Sequence, residues 1–197
     1  MREELKRFQR QFGISFLHVT HSQDEALALA DLVVVMNDGR IEQAASARMV
    51  FDKPETTFVA RFIGGHNVLR CTVETVDAKG ARLRGPQGVV IVTASPGLEA
   101  GRIVHVAIRA DQMHIKQAGR RLQAVGSGNG QAPSHQGLQS RVASVEYHGS
   151  VVKLRLETDW ADELTMTLSD QSFDTAALAE GDAVAIGWND ADAHVMN

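Results

Sequence analysis

One histidine, His21, lies where a side chain could contact a bound anion. It follows the apolar and β-branched run ISFLHVT (residues 14–20), which is typical of a strand buried on both faces. The residues after it begin a helix. Open α/β sheets bind ligands at the carboxyl ends of strands, and backbone N–H groups at a helix start favour an anion. The pattern allows two interpretations, an anion-binding histidine or a hydrogen-bonded structural histidine, and does not decide between them.

The residues near His21 give less support to a metal site, a serine nucleophile or an acid–base pair. The odd spacing of His18 and His21 sends them to opposite faces of a strand, and no third metal ligand lies nearby. The sequence has no G-x-S-x-G motif for a serine nucleophile. Glu25 could form an acid–base pair with His21. However, Ser22 to Glu25 fits a capping box, with a hydroxyl at the N-cap and a carboxylate three residues on, which explains Glu25.

The N-terminal third alternates helix and strand patterns around this histidine. Leu5, Phe8 and Phe12 recur at helical spacing, and Gly13 ends that helix. The other predicted elements are a strand at residues 14–20, a helix after Ser22, a strand at 32–36, a turn at 37–40, its hairpin partner at 41–45, and short helices at Ala47–Phe51 and Thr57–Ile63. This part reads as a piece of an α/β domain.

From Val68 onward the helical periodicity gives way to short alternating runs separated by Gly, Pro, Asn and Asp. Ten strands are predicted: CTVETV, ARLRG, VVIVTA, RIVHVAI, MHIK, RVASVEY, VVKLRLE, ELTMTL, AVAIGW and AHVMN. So many short strands favour a closed or sandwiched β domain. Residues 117–138, rich in Gly, Ser, Gln and Ala, predict a flexible loop.

The β part also repeats itself. The run AGRIVHVAIRADQMHIK from Ala100 resembles EGDAVAIGWNDADAHVM from Glu180, with the same distance from glycine to histidine in both. CTVETV likewise resembles SRVASV from Ser140. Two related β units on either side of the loop are the prediction, and chance similarity between generic strands is the alternative.

Composition limits the possible partners. The net charge of -4 and an aromatic content of 5% argue against nucleic acid, which needs basic surface and stacking rings. Cys71 is the single cysteine, so the chain cannot form an internal disulfide and a reducing cytosol fits. No apolar run approaches the roughly 20 residues of a membrane span. We expect membrane association only through a partner.

Residues 13–64 resemble the end of the ATPase domain of ATP-binding-cassette (ABC) importers, and the match covers about the first 66 residues. The motifs V-T-H, A-L-x-x-A-D, V-x-V-M-x-x-G-R-I-x-Q and F-V-A-x-F-I-G follow one another in the family's order. The β part resembles the transport-associated OB-like (TOBE) domain of importers for sugars, polyamines or iron. Its weaker motifs are Ile108-Arg109-Ala110-Asp111 and Tyr147-His148-Gly149-Ser150. The expected domains are 1–66, from the ATPase, and 67–197, an all-β OB-like barrel of two related units.

The resemblance implies roles for particular residues. His21 would be the switch histidine that senses the γ-phosphate of ATP and helps to hold the attacking water. Ser22 stands where the family commonly has an acidic residue, but it can still cap the helix. Regulatory or inter-domain contacts would involve five residues: Arg109, Asp111, Tyr147, Gly149 and Ser150. The implied partners are permease subunits and a second copy of the chain, at the inner face of the bacterial cell membrane.

Several parts that this chemistry needs are missing from the sequence. It contains no G-x-x-x-x-G-K-[ST] phosphate loop, no Ser-Gly-Gly signature, and no strand ending in adjacent Asp and Glu to serve Mg²⁺ and the attacking water. The family places these upstream. ATP and Mg²⁺ are therefore expected only in the complete subunit, and we expect this chain alone to be inactive. The alternative is a stand-alone OB-like module that binds a small ligand or an oxyanion such as molybdate.

Overall fold

The computed structural model describes residues 2–78, 80–117, 120–123, 137–158 and 164–196. The chain forms two compact units, Met1–Ile63 and Gly64–Asn197. We call them the N-terminal unit and the β unit and treat each by itself. The boundary expected from sequence lies three residues later, after residue 66.

Four helices and one hairpin make up the N-terminal unit. They are α1 (Arg2–Phe12), α2 (Gln23–Leu29), β1 (Val33–Asn37), β2 (Arg40–Ala45), α3 (Ala47–Asp52) and α4 (Thr57–Ile63). The strands β1 and β2 are antiparallel, and Asp38 (φ 46°) and Gly39 (φ 76°) connect them. Positive φ at both turn residues is what a two-residue hairpin loop requires, and Asp-Gly suits it. The predicted hairpin and the three predicted helices after Gly13 are confirmed.

A small core holds this unit together. Its buried members are five aliphatic residues of β1, α3 and α4: Val33, Val35, Val50, Val59 and Ile63. The rings of Phe58 and Phe62 stack one helical turn apart, with centroids 5.5 Å from each other. The hairpin and the two helices after it therefore pack as one cluster.

The predicted strand at residues 14–20 is not formed. The structure assigns no secondary structure to this segment, and its side chains up to Val19 are exposed, Leu17 to 94% and Val19 to 88%. A strand needs neighbouring strands for its N–H and C=O groups. The sheet described in this unit has two strands, β1 and β2, which pair with each other. The apolar run therefore has the composition of a buried strand without strands to pair with.

The β unit contains eleven strands and one helix among its described residues. They are β3 (His66–Asp77), β4 (Gly80–Arg84), β5 (Val90–Thr93), β6 (Ile103–Arg109), β7 (His114–Gln117), β8 (Arg120–Gln123), β9 (Leu138–Tyr147), β10 (Val151–Glu157), β11 (Leu164–Ser169), α5 (Asp170–Ala176), β12 (Ala183–Gly187) and β13 (Ala193–Met196). All ten predicted strands are present. Sequence reasoning missed α5, which Ser169 caps by accepting the Ser172 N–H (3.1 Å).

Most of the predicted loop at residues 117–138 lies outside the described residues, and the described part includes a strand, β8, that was not predicted. Gln117 ends β7, residues 120–123 form β8, and Leu138 begins β9. Residues 118, 119 and 124–136 lie outside the described part of the chain.

Two antiparallel sheets form the β unit. One has the order β13-β6-β3-β4-β5 and the other β11-β10-β9-β12-β7-β8. Their buried side chains make one core, which includes the fully buried Trp188. The curled sheets and shared core agree with the predicted OB-like β domain.

The two halves of the β unit repeat one fold. In the first half the Gly101 N–H (φ 84°) donates to the Val73 carbonyl oxygen at 2.8 Å. In the second half the Gly181 N–H (φ 90°) donates to the Val142 carbonyl oxygen, also at 2.8 Å. Each valine N–H returns a bond of 2.9 Å to the carbonyl oxygen of the residue after that glycine. The predicted repeat is confirmed in its hydrogen bonding.

The last strand of each half pairs with a strand of the other half. The first half runs from β3 to β7, and β7 pairs with β12 of the second half. The second half runs from β9 to β13, and β13 pairs with β6 of the first half. A short 3₁₀ turn, Ala110–Gln112 or Asp190–Asp192, precedes each exchanged strand. We call this arrangement the strand exchange.

Candidate functional site

His21 lies between the extended segment 14–20 and helix α2, and its side chain is exposed. Because no strand forms before it, this histidine is not at a strand tip in this chain. Helix α2 starts as predicted, since the N-cap Ser22 Oγ accepts the Glu25 N–H at 3.3 Å. The imidazole has no hydrogen bond to another described residue. The ring is therefore available to an external group.

Besides the N-cap bond, Glu25 takes part in a second set of hydrogen bonds, which links it to the residues on either side of His21. Its Oε2 accepts the Thr20 hydroxyl at 2.9 Å, and the Thr20 Oγ1 accepts the Ser22 N–H at 3.0 Å. In a capping box the glutamate bonds the N-cap N–H itself. Here a threonine hydroxyl stands between the two groups. The Nε2 of His18 lies 3.4 Å from the same carboxylate oxygen.

The structure gives no metal site to these residues. Within the described ranges, no group of three or more His, Cys, Asp or Glu side chains is arranged to hold a metal ion. The exposed imidazole of His21 could meet a phosphate, whereas ligands for Mg²⁺ are not assembled in the described part of the chain.

Arg109 and Asp111 form a partly buried, two-pronged ion pair where β6 ends. The Arg109 Nε lies 2.9 Å from Asp111 Oδ1, and its Nη2 lies 2.6 Å from Oδ2. Parallel N–H···O bonds of this kind fix both side chains in one orientation. The pair holds the start of the Ala110–Gln112 turn. Its role as a regulatory contact stays a prediction.

Tyr147, Gly149 and Ser150 lie at the turn between β9 and β10. The Tyr147 side chain is 66% exposed, and Gly149 has a φ of 77°. The Ser150 carbonyl oxygen accepts the Asp170 N–H at 3.2 Å, which ties this turn to the start of α5. The described hydrogen bonds do not join this turn to Arg109 and Asp111. An inter-domain role for the turn likewise stays a prediction.

Two buried side-chain amides carry structural roles that sequence reasoning missed. Gln43 Nε2 donates to the Lys53 carbonyl oxygen (3.0 Å), and its Oε1 accepts the Glu55 N–H (3.1 Å). Asn67 acts in the same way on Thr165 of β11, with both distances 2.7 Å. A signal existed for Asn67, because the alternation along β3 places it on the inward face with Leu69. Each of these side-chain amides therefore pairs a backbone N–H and a backbone carbonyl oxygen of another segment.

Cys71 is unsuited to nucleophilic chemistry. Its thiol is 1% exposed inside the core of the β unit, and burial raises its pKa to about 12. The thiolate is the reactive form of cysteine, so this side chain is inert while the unit is folded.

Comparison with known proteins places these features in a family. A TOBE domain model matches residues 106–196. The spermidine/putrescine import ATP-binding protein PotA of Rubrobacter xylanophilus is 32% identical over 192 residues, which are 96% of this chain and 47% of that protein. The PotA protein of Vibrio parahaemolyticus is 42% identical over 120 residues, 59% of this chain and 31% of that protein.

A solved structure gives a likeness of fold. The cytoplasmic molybdate-binding protein ModG, with molybdate bound, matches with a TM-score of 0.53 and 16% sequence identity. The match covers 66% of this chain and 94% of that one.

Together these matches confirm the resemblance stated from the motifs. The matches are consistent with the C-terminal part of an ATP-binding subunit of an ABC importer, and residues 106–196 match the TOBE domain. Its curated relatives include spermidine/putrescine import proteins named PotA. The chain spans about half the length of the first of these relatives. None of the helices in the described ranges has the length and hydropathy that a membrane span requires.

Proposed function

We propose that this chain supplies the switch histidine and the regulatory β unit of an ATPase subunit that energises solute import. The observation that carries the proposal is the similarity over 96% of the chain to an import ATP-binding protein. That similarity spans the V-T-H motif and the exposed imidazole of His21. In the complete subunit His21 contacts the γ-phosphate and helps to position the attacking water.

The remaining chemistry comes from outside these residues. ATP and Mg²⁺ are the cofactors of the complete subunit, and the phosphate loop that would hold them is not in this sequence. The exposed apolar segment 14–20 supports this view, because a run that suits a buried parallel strand needs further strands beside it. Strands from the rest of an ATPase domain would cover it.

Partners and location follow from the same proposal. The complete subunit forms a homodimer on permease subunits at the inner face of the bacterial cell membrane. The transported solute is a polyamine, as the names of the relatives say of those proteins. The β unit contributes contacts between subunits, through Arg109, Asp111 and the turn at Tyr147, Gly149 and Ser150.

The decisive experiment fuses this chain to the preceding ATPase region of the Rubrobacter relative and replaces His21 by alanine. We expect His21→Ala to lower ATP turnover on the order of 100-fold, the usual effect of losing one group aimed at developing charge. ATP affinity should change little, because the histidine acts at the transition state. Unchanged turnover would refute the switch role, and so would a loss that thermal unfolding accounts for completely.

The chain alone gives a second test. We expect no turnover above a protein-free blank and no micromolar ATP binding by calorimetry, because the phosphate loop is missing. The alternative, an oxyanion-binding module, predicts molybdate binding to the same chain. The likeness to ModG is one of fold and does not show that this chain binds molybdate. Calorimetry with molybdate therefore decides between the two functions.

A further inference from the structure

Both residues that flank His21 are tied to one residue of α2. Thr20 donates its hydroxyl hydrogen to Glu25 Oε2 (2.9 Å), and Ser22 Oγ accepts the Glu25 N–H (3.3 Å). Thr20 Oγ1 also accepts the Ser22 N–H (3.0 Å), which closes a small turn over the histidine. Glu25 is thus the common partner of the residues on both sides of His21.

This connection fixes the backbone and leaves the ring free. A threonine oxygen that accepts the N–H two residues on makes a side-chain turn, which restricts the dihedral angles of the residue between them. Donation to a carboxylate polarises the hydroxyl and strengthens the bond that it accepts. The imidazole takes no part in the network. The turn can therefore hold the histidine backbone in place while its side chain reaches outward.

Helix capping accounts for only part of this network. The N-cap bond joins Ser22 Oγ to the Glu25 N–H and does not involve Thr20. The Thr20 hydroxyl and the Glu25 carboxylate add a second constraint, and the residue that it encloses is His21.

We propose that Thr20 and Glu25 are positioning residues, which hold the switch histidine so that turnover, and not nucleotide affinity, depends on them. This inference rests on the proposed function of His21. A catalytic group displaced by about 1 Å can lose on the order of 100-fold in rate. We therefore expect a loss of kcat of about 10- to 100-fold when the connection is broken, with ATP affinity unchanged.

The test uses four variants of the fused subunit. Thr20→Val keeps the shape and removes the hydroxyl, and Thr20→Ser restores the hydroxyl. Glu25→Ala removes the carboxylate, and Asp24→Asn is the matched control, since Asp24 is exposed in the same turn of α2. We expect low kcat in Thr20→Val and Glu25→Ala, and near-normal kcat in Thr20→Ser and Asp24→Asn. Thermal unfolding should be nearly the same in all four.

A second measurement needs only the chain itself. The Ser22 N–H should exchange its hydrogen at least several-fold faster in Thr20→Val than in the unaltered chain, and Thr20→Ser should restore the slow rate. Exchange that does not change would overturn the proposed turn.

The two hypotheses fail differently. If His21→Ala leaves turnover unchanged, the switch role fails whatever Thr20 does. If His21→Ala lowers turnover and Thr20→Val does not, the positioning role alone is wrong. A parallel loss of affinity, turnover and melting temperature in Thr20→Val would show a merely structural residue and would also overturn the positioning role.

Discussion

Residues 14–20 and strand β10 are two seven-residue segments rich in apolar side chains. One is exposed and unpaired, and the other is a buried, paired strand. Strand β10 lies between β9 and β11, and its Val152, Leu154 and Leu156 are fully buried. Each segment contains four apolar residues, but those of the first segment face solvent. The difference shows that apolar content does not make a strand. Neighbouring strands must be available to pair with its backbone.

The largest expected contrast is in hydrogen exchange. Amides of β10 should be protected by the global stability of the β unit, on the order of 10³- to 10⁸-fold. Amides of residues 14–20 should exchange at nearly unfolded rates, because no strand holds them. Exchange followed by mass spectrometry on a monomer of proven mass measures both. Equal, strong protection in that monomer would contradict the contrast. Protection of residues 14–20 that grows with concentration would instead show pairing between copies.

Thiol labelling sharpens the same contrast. Cys71 is buried in the β unit with a pKa of about 12, compared with 9.0 for the ordinary thiol. A Leu17→Cys variant would place a second thiol in the exposed segment. At pH 8 we expect this introduced thiol to react on the order of 1,000-fold faster than Cys71, from the three-unit difference in pKa alone. Comparable rates under native conditions, measured by mass spectrometry, would contradict the burial of Cys71.

The same buried thiol, Cys71, predicts a loss of stability in alkali. The folded β unit keeps the Cys71 proton to higher pH than the unfolded chain does. The contribution of the protonated Cys71 thiol to the free energy of unfolding is therefore complete below pH 9.0 and is lost as the pH rises toward about 12. Cys71→Ala should flatten the fall in the free energy of unfolding between these values, as measured by denaturant titration.

A matched pair of deletions compares the segments in free energy. Leu154→Ala should destabilise the β unit by about 2–5 kcal/mol, the usual cost of a cavity at a fully buried leucine. Leu17→Ala should change stability by less than about 0.5 kcal/mol, since its side chain is 94% exposed. Urea titration followed by tryptophan fluorescence and circular dichroism measures both. A large cost for Leu17→Ala would show that the segment is packed in solution.

The smallest expected changes in the free energy of unfolding come from replacing a buried side-chain amide, Asn67, and an exposed one, Gln87. Asn67 and Gln87 both bond the backbone of a strand, at Thr165 and at Gln139. Asn67→Ala leaves the partly buried Thr165 N–H and carbonyl oxygen without their Asn67 partner and should cost about 1–3 kcal/mol. Gln87→Ala should cost less than about 0.5 kcal/mol, because water replaces an exposed partner. Equal costs in denaturant titration would contradict this ranking.

The sequence predicts local features of the fold well. The Asp-Gly turn, the Ser22 cap and the alternation in the ten strands of the β unit are properties of neighbouring residues. They needed no knowledge of the rest of the chain. The spacing of the two repeated runs was also enough to predict related halves.

The features that failed depend on distant partners. Residues 14–20 carry a strand composition, but the strands that would pair with them are not provided by the described residues. Which sheet β7 and β13 join is set by contacts far along the chain, and no local pattern encodes them. The tie of Thr20 to Glu25 was missed for another reason. A capping box explained the glutamate fully, and nothing in the spacing indicated that a threonine hydroxyl would intervene.

The strand exchange has a consequence for the order of synthesis. Strand β6 leaves the ribosome long before β13, its neighbour in the sheet, because β13 comprises residues 193–196. The first half of the β unit must wait with one sheet edge unpaired while about 80 further residues are made, and such open edges invite aggregation. Strand β13, the last strand of the β unit to be translated, completes the half that was translated first. The β unit can therefore close only late in its synthesis.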